Sequence, residues 1–147
     1  LDEIGDMGPS AQAKVLRALQ ENKITRVGGD KDIAINVRVL AATNKDLKKA
    51  ISENKFREDL YHRLGVIIIK VPALNERRED IPLLVDKFLN DLALEQGSKP
   101  KTMDAKALKE IQNYNWTGNI RELRNVVERL TIMSEGKIGL EEVKKYL

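Results

Sequence analysis

Pro72 divides two kinds of sequence, and that division constrains the fold more than any other feature of the chain. Before it, runs rich in β-branched apolar residues alternate with segments whose apolar positions recur every three to four residues, the pattern of helices layered on a sheet. After it, the periodicity is helical throughout. The expected architecture is therefore α/β over 1–72 followed by a small all-α part over 73–147.

In the first part, Pro9 sits where a first helical turn tolerates proline, and Ala11, Val15, Leu16 and Leu19 follow at helical spacing, so a helix is expected over about 9–21. Ile24–Val27 is a short strand candidate ended by Gly28-Gly29-Asp30. Ile35–Ala42 reads as a stronger, mostly buried strand, and Val66–Val71 as a central parallel strand closed by Pro72. Helices are expected at about 46–53 and 57–64 between them.

In the second part, Ile81, Leu84, Val85, Phe88 and Leu92 form one stripe, with Asp80 placed to cap and Gly97 to stop the helix. Thr102 or Asp104 opens a helix to about Tyr114, and Trp116-Thr117-Gly118-Asn119 turns into another from about 119 to 134. A short helix over Leu140–Leu147 closes the chain.

Composition removes several function classes. Among 147 residues there is no cysteine, which excludes disulfide scaffolds, thiolate zinc sites and cysteine nucleophiles and agrees with a cytoplasmic location. The best apolar run, Val66 to Ile69, is stopped by Lys70, far short of the ~20 residues of a membrane span. Of the 26 basic and 23 acidic residues, 13 and 10 fall in 1–72, leaving 13 of each from 73 onward. A neutral second part argues against binding DNA mainly through phosphate neutralisation. The first residues lack a signal-peptide layout, and the chain opens on Leu1, so an upstream segment is expected.

Six residues carry candidate chemistry. Asp2 and Glu3 follow an apolar residue; two acids at a strand end serve metal-nucleotide hydrolysis, one holding Mg²⁺ and the next polarising water, but they equally make ordinary surface. Asn44 follows a strand candidate, where α/β sheets place ligand-contacting side chains, and a plain turn is the alternative. Phe56, Leu60 and Leu64 face a core at i, i+4 and i+8, so Arg57 and Arg63 point elsewhere. An arginine near a helix start opposes the dipole unless an anion compensates: either Glu58 and Asp59 supply it, or a phosphate does. Arg121 repeats this, about 200° from Leu123 at roughly 100° per residue; Glu122 and solvent satisfy it, or an anionic ligand does. His62, the only histidine, has no second histidine with which to build a metal site.

In this order, the segments resemble the central AAA+ ATPase domain of the bacterial enhancer-binding proteins, the NtrC-like activators of sigma-54 RNA polymerase. Leu1-Asp2-Glu3-Ile4-Gly5-Asp6 resembles Walker B, and Gln12 to Glu21 the helix after it. Arg38 to Asn44 resembles the sensor I strand, Phe56 to Leu64 the arginine-finger helix, Arg77 to Pro82 the start of the lid, and Trp116 to Leu123 the sensor II motif. The resemblance implies the C-terminal part of an AAA+ P-loop core with a parallel sheet, followed by a helical lid. It implies that Asp2 supports Mg²⁺, directly or through water, that Glu3 activates water and that Asn44 senses the γ-phosphate. Arg57 and Arg63 would reach a neighbour's ATP, and Arg121 the nucleotide of its own subunit. It further implies a ring, usually hexameric, acting on sigma-54 polymerase, with promoter or enhancer DNA held by a domain outside these residues.

The sequence departs from the family's full pattern, lacking among other parts two loops. It contains neither a Gly-x-x-x-x-Gly-Lys-Ser/Thr phosphate loop nor the Gly-Ala-Phe-Thr-Gly-Ala loop, both of which precede Walker B in the family. The expectation is a fragment without ATPase activity of its own. Two other readings stay open: a self-associating structural piece, and a helix-turn-helix module built from the helices at 104–114 and 119–134 with Arg121, Arg124 and Arg129.

Overall fold

The computed structural model describes all of residues 1–147 and divides into two compact units, Leu1–Ile69 and Lys70–Leu147. In the first unit a single 3-10 turn at Ile4–Asp6 leads into helix α1, Pro9–Glu21. Pro9 occupies its first turn, where a missing N–H loses nothing. Asn22 then takes a left-handed conformation and ends the helix. Strands β1, Lys23–Thr25, and β2, Asp32–Ala34, pair antiparallel with Ile24 opposite Ile33. Helix α2, Leu47–Ser52, starts on Asp46, whose carboxylate accepts from the amides of Lys48 and Lys49. Helix α3, Glu58–Leu64, follows with Arg57 as its N-cap. Ile4, Leu16, Phe56 and Leu60 form the buried core of this unit, packing α3 against α1 and the Ile4 turn.

The expected helices hold, to within a few residues at their ends. The expected strands do not. Ile35–Ala42 forms no strand, and Val37, Val39 and Leu40 are exposed. Its ordering comes from three backbone bonds to the start of the chain: the Leu1 amine donates to the Leu40 carbonyl, Ala42 N–H to Leu1, and Ile4 N–H to Ala42. Val66–Val71 likewise forms no strand, with its apolar side chains 64 to 83% exposed. Apolar, β-branched composition creates the propensity, but a strand exists only where neighbouring backbone supplies hydrogen bonds, and these two runs find too few partners within the chain. The third candidate, Ile24–Val27, is displaced to Lys23–Thr25, with Val27 fully exposed in the turn.

The second unit is helical. Two 3-10 turns, Leu74–Glu76 and Arg78–Asp80, precede helix α4, Ile81–Glu95. Asp80 stands at its N-cap position, but its side chain accepts no capping bond. Helix α5, Ala105–Asn113, is capped by Asp104; helix α6 is Asn119–Met133 and helix α7 is Leu140–Tyr146. The only strand-like pairing is a parallel bridge between Met103 and Ile138. Residues from all four helices, among them Val85, Ile111, Leu130 and Val143, close one core around Trp116. The Trp116 indole N–H donates to the Ile111 carbonyl at 2.9 Å, so its one polar atom is satisfied inside.

Candidate functional site

The three bonds that tie Leu1 and Ile4 to Leu40 and Ala42 set Asp2 and Glu3 beside the turn at Thr43–Lys45. Asn44 is exposed at the tip of this turn. The turn is closed by Lys45 N–H donating to Thr43 Oγ1 at 3.1 Å, and the Lys45 ammonium pairs with Asp6. Gly5 lets the two turns meet: a Cβ there would fall 2.7 Å from Thr43 Oγ1 and 3.1 Å from Lys45 Cβ. Glu3 sits in left-handed backbone, at φ 50°, and its amide donates to Asp2 Oδ1 at 3.0 Å. Both acids are exposed. The segments that carry Asp2 and Glu3 and the turn that carries Asn44 thus adjoin, and sequence reading did not detect Gly5 or Lys45 as the parts that hold the two turns together.

Arg57 and Arg63 leave α3 in different directions, six residues or about 240° apart at roughly 100° per residue. The Arg57 guanidinium grips Asp59 with both prongs, Nε to Oδ1 at 3.0 Å and Nη2 to Oδ2 at 2.6 Å. This bidentate bond raises the arginine pKa and holds the Asp59 carboxyl below its usual range. The compensating anion posed as one alternative by the sequence is therefore present, and it is Asp59. Arg63 Nη2 donates to the Leu19 carbonyl of α1 at 3.1 Å. No hydrogen bond joins either arginine to Asp2, Glu3 or Asn44. His62 stands near Glu58, 3.8 Å away, on the exposed face of α3.

In the second unit Arg121 is exposed in the first turn of α6 and has no hydrogen-bond or ion-pair partner. Glu122 does not serve it, because that carboxylate turns back to accept the Gly118 amide at 2.7 Å. Asn119, in left-handed backbone, accepts the Leu74 amide on Oδ1 at 2.8 Å and so ties the start of α6 to the start of the unit. Arg121 lines a cleft with Arg77, Arg124, Phe88 and Pro72. Arg77 Nε is buried there without an acceptor, and Arg124 reaches Glu95 at 3.3 Å.

The free Arg121 guanidinium suits an anionic ligand such as a phosphate, whereas Arg77 lies 3.9 Å from Asp80 and Phe88 belongs to the buried core. Residues for a metal are fewer. No cluster of three or more acidic or histidine side chains exists, so a cation with a complete protein cage is not built here. Mg²⁺ keeps several waters and takes phosphate oxygens besides one or two carboxylates, and the exposed Asp2–Glu3 pair fits that more modest demand.

Of the three arginines of the helix-turn-helix alternative, Arg121 is free and the other two have partners. Arg124 is engaged by Glu95, and Arg129 donates to the Tyr146 carbonyl at 3.1 Å. No helix is long and apolar enough to cross a membrane.

Comparison with known proteins agrees with this division. The pattern of the Sigma-54 interaction domain matches residues 1–70, and that of the AAA+ ATPase lid domain matches residues 75–147. The Nif-specific regulatory protein of Herbaspirillum seropedicae is 48% identical, over 96% of this chain and 26% of its own length. The DNA-binding transcriptional regulator NtrC of Azospirillum brasilense is 48% identical, over 100% of this chain and 31% of its own. The crystal structure of NtrX from Brucella abortus in complex with ADP superposes with a TM-score of 0.88 at 41% identity, covering 97% of this chain and 34% of that one. The same protein in complex with ATP gives 0.87. The chain therefore spans about a fifth to a third of the length of the relatives it matches. With both family patterns in order along its length, it belongs to the sigma-54 activator family of AAA+ ATPases.

Proposed function

We propose that this chain is part of the ATPase module of a sigma-54-dependent transcriptional activator, with residues 1–72 belonging to its α/β core and 73–147 forming its lid. The carrying observation is the set of backbone bonds from Leu1 and Ile4, which flank Asp2 and Glu3, to Leu40 and Ala42, just before the Thr43–Lys45 turn. That junction puts two carboxylates and an exposed amide side chain at one edge, the residue types that hydrolysis of a phosphoanhydride uses.

In this reading ATP is the substrate, and Mg²⁺ supplies charge neutralisation of the phosphates. Asp2 holds the hydrated cation. Glu3 orients the attacking water and accepts its proton, and Asn44 donates its amide to the terminal phosphate. Arg121, free of any partner, binds the nucleotide of its own subunit. Arg57 and Arg63 act on the ATP of a neighbouring subunit in a ring, most simply a hexamer; Arg57 must exchange Asp59 for a phosphate to do so, replacing one bidentate anion by another. The ring works on sigma-54 RNA polymerase in the cytoplasm, and promoter or enhancer DNA is engaged by another domain.

The 147 residues taken alone hold no backbone cradle or lysine for the β- and γ-phosphates, so they are expected to show no hydrolysis. In the whole protein, Glu3→Gln is expected to lower ATP hydrolysis by about 100-fold or more, while nucleotide binding by filter assay stays within about threefold. Undiminished hydrolysis in that variant would remove Glu3 from the chemistry and the proposal with it.

A further inference from the structure

Gln12 is the one fully buried polar side chain in residues 1–69, at 1% exposure. It lies in the first turns of α1, a position that an apolar residue would fill as well for packing alone. A buried primary amide is tolerated only where its donors and acceptor are met. Here they are. Nε2 donates to the Met7 carbonyl at 2.7 Å and to the Lys55 carbonyl at 2.9 Å, and Oε1 accepts the Arg57 amide at 2.9 Å. Both N–H donors and the oxygen are committed, to segments on either side of α1 in sequence.

The third bond has a particular consequence. Arg57 is the N-cap of α3, in extended backbone at φ −78° and ψ 131°, and its carbonyl accepts the Tyr61 amide at 3.1 Å. With its N–H held by Gln12 and its carbonyl held by the helix, both backbone groups of Arg57 are fixed. Only its side chain remains to move, from Asp59 outward. Lys55, two residues earlier, is held by the same amide, so the approach to Arg57 is braced as well.

We propose that Gln12 is a positioning residue that fixes the direction in which Arg57 is presented to the ATP of a neighbouring subunit. This rests on the assignment of Arg57 as a group acting across the subunit junction. Gln12 is buried and acts through the Arg57 backbone, so its loss is expected to leave its own subunit's Asp2 and Glu3 sound.

The test uses the whole, ring-forming protein. Gln12→Met keeps the volume and removes all three bonds; it is expected to lower ATP hydrolysis by about 10- to 100-fold, as misplacement by an ångström does, with ATP affinity within about threefold. Equal mixing of Gln12→Met subunits with Glu3→Gln subunits is then expected to restore hydrolysis, because a sound acid pair meets a sound arginine at some junctions. No restoration would mean that Gln12→Met damages its own subunit, and the proposal would be overturned.

Mixing Arg57→Ala with Glu3→Gln subunits separates the two levels of the argument. Restoration there but not with Gln12→Met sinks the role of Gln12 alone; no restoration in either mixture sinks the action of Arg57 across the junction, and the proposal with it. Gln12→Glu covers the case in which Gln12→Met does not fold. Buried against the Met7 and Lys55 carbonyls, the new carboxyl is expected to stay protonated, which keeps the acceptor for the Arg57 amide and one of the two donor bonds, so positioning predicts hydrolysis well above that of Gln12→Ala. A structural role predicts a carboxyl group at least as damaging as alanine, and that outcome would count against the proposal.

Discussion

At the residue scale, the site depends on a side chain that is missing. Gly5 is ordinary in φ, so its requirement is one of space: an added methyl would meet Thr43 Oγ1 at 2.7 Å and Lys45 Cβ at 3.1 Å. Real Cβ atoms do not approach so closely, and one of the two turns must move. Gly5→Ala is therefore expected to destabilise the first unit by about 1–3 kcal/mol, the usual range for overpacking. Thr43→Ala in the same chain removes the nearest atom and is expected to restore part of that loss, leaving the Lys45 contact. Urea unfolding followed by far-ultraviolet circular dichroism checks both, and strictly additive losses would show that the turns do not press on each other. The sequence showed Asp2, Glu3 and Asn44 as separate points of interest. It could not show what draws their segments together, because the bonds from Leu1 to Leu40 and from Lys45 to Asp6 each span 39 residues and leave no periodic trace.

At the element scale, helices were legible and strands were not, for a physical reason. A helix satisfies its backbone within its own segment, so spacing, caps and stops such as Pro9, Asp104 and Asn119 suffice to place α1, α5 and α6. Ile35–Ala42 and Val66–Val71 have strand composition but depend on backbone elsewhere. The cap of α5 carries a pH dependence whose sign follows from its partners. The hydrogen bond from Lys137, at 3.2 Å, is the main cause that holds the Asp104 carboxyl below its ordinary range, and the Ala105 amide adds to it. A depressed carboxyl contributes stability above its unfolded value, near 3.9 for aspartate, and loses it as pH falls through the lower folded value. Lys137→Met is therefore expected to unfold at a lower temperature than the parent at pH 7, with the gap closing as pH drops below about 4. Trp116 fluorescence melts across that range decide the matter; a gap independent of pH would detach Lys137 from Asp104.

At the scale of the whole molecule, the two units differ in how far they bury their own apolar surface. Lys70–Leu147 closes a core of many fully buried residues around Trp116, whereas in Leu1–Ile69 four buried residues, Ile4, Leu16, Phe56 and Leu60, anchor the packing. The imbalance matches what each part asks of its surroundings: a bundle of four helices buries its stripes internally, while Val66–Val71, with strand composition but no strand partner, leaves its apolar side chains in water. Burying one valine or isoleucine is worth about 1.5–3 kcal/mol relative to full exposure, so a run of five such side chains is a strong incentive to associate. The polypeptide of residues 1–147 is expected to form oligomers as its concentration rises, through Val66, Ile67, Ile68, Ile69 and Val71. Light scattering over a hundredfold range of concentration, at about micromolar to 100 micromolar where weak association appears, tests this. Ile67→Lys with Ile69→Lys adds two charges to the run and is expected to shift the chain to monomer without lowering the Trp116 unfolding midpoint, since that residue reports the other core. A parent chain that stays monomeric throughout would show that the exposed run is tolerated in water, and a charged variant that still associates would move the contact to another surface.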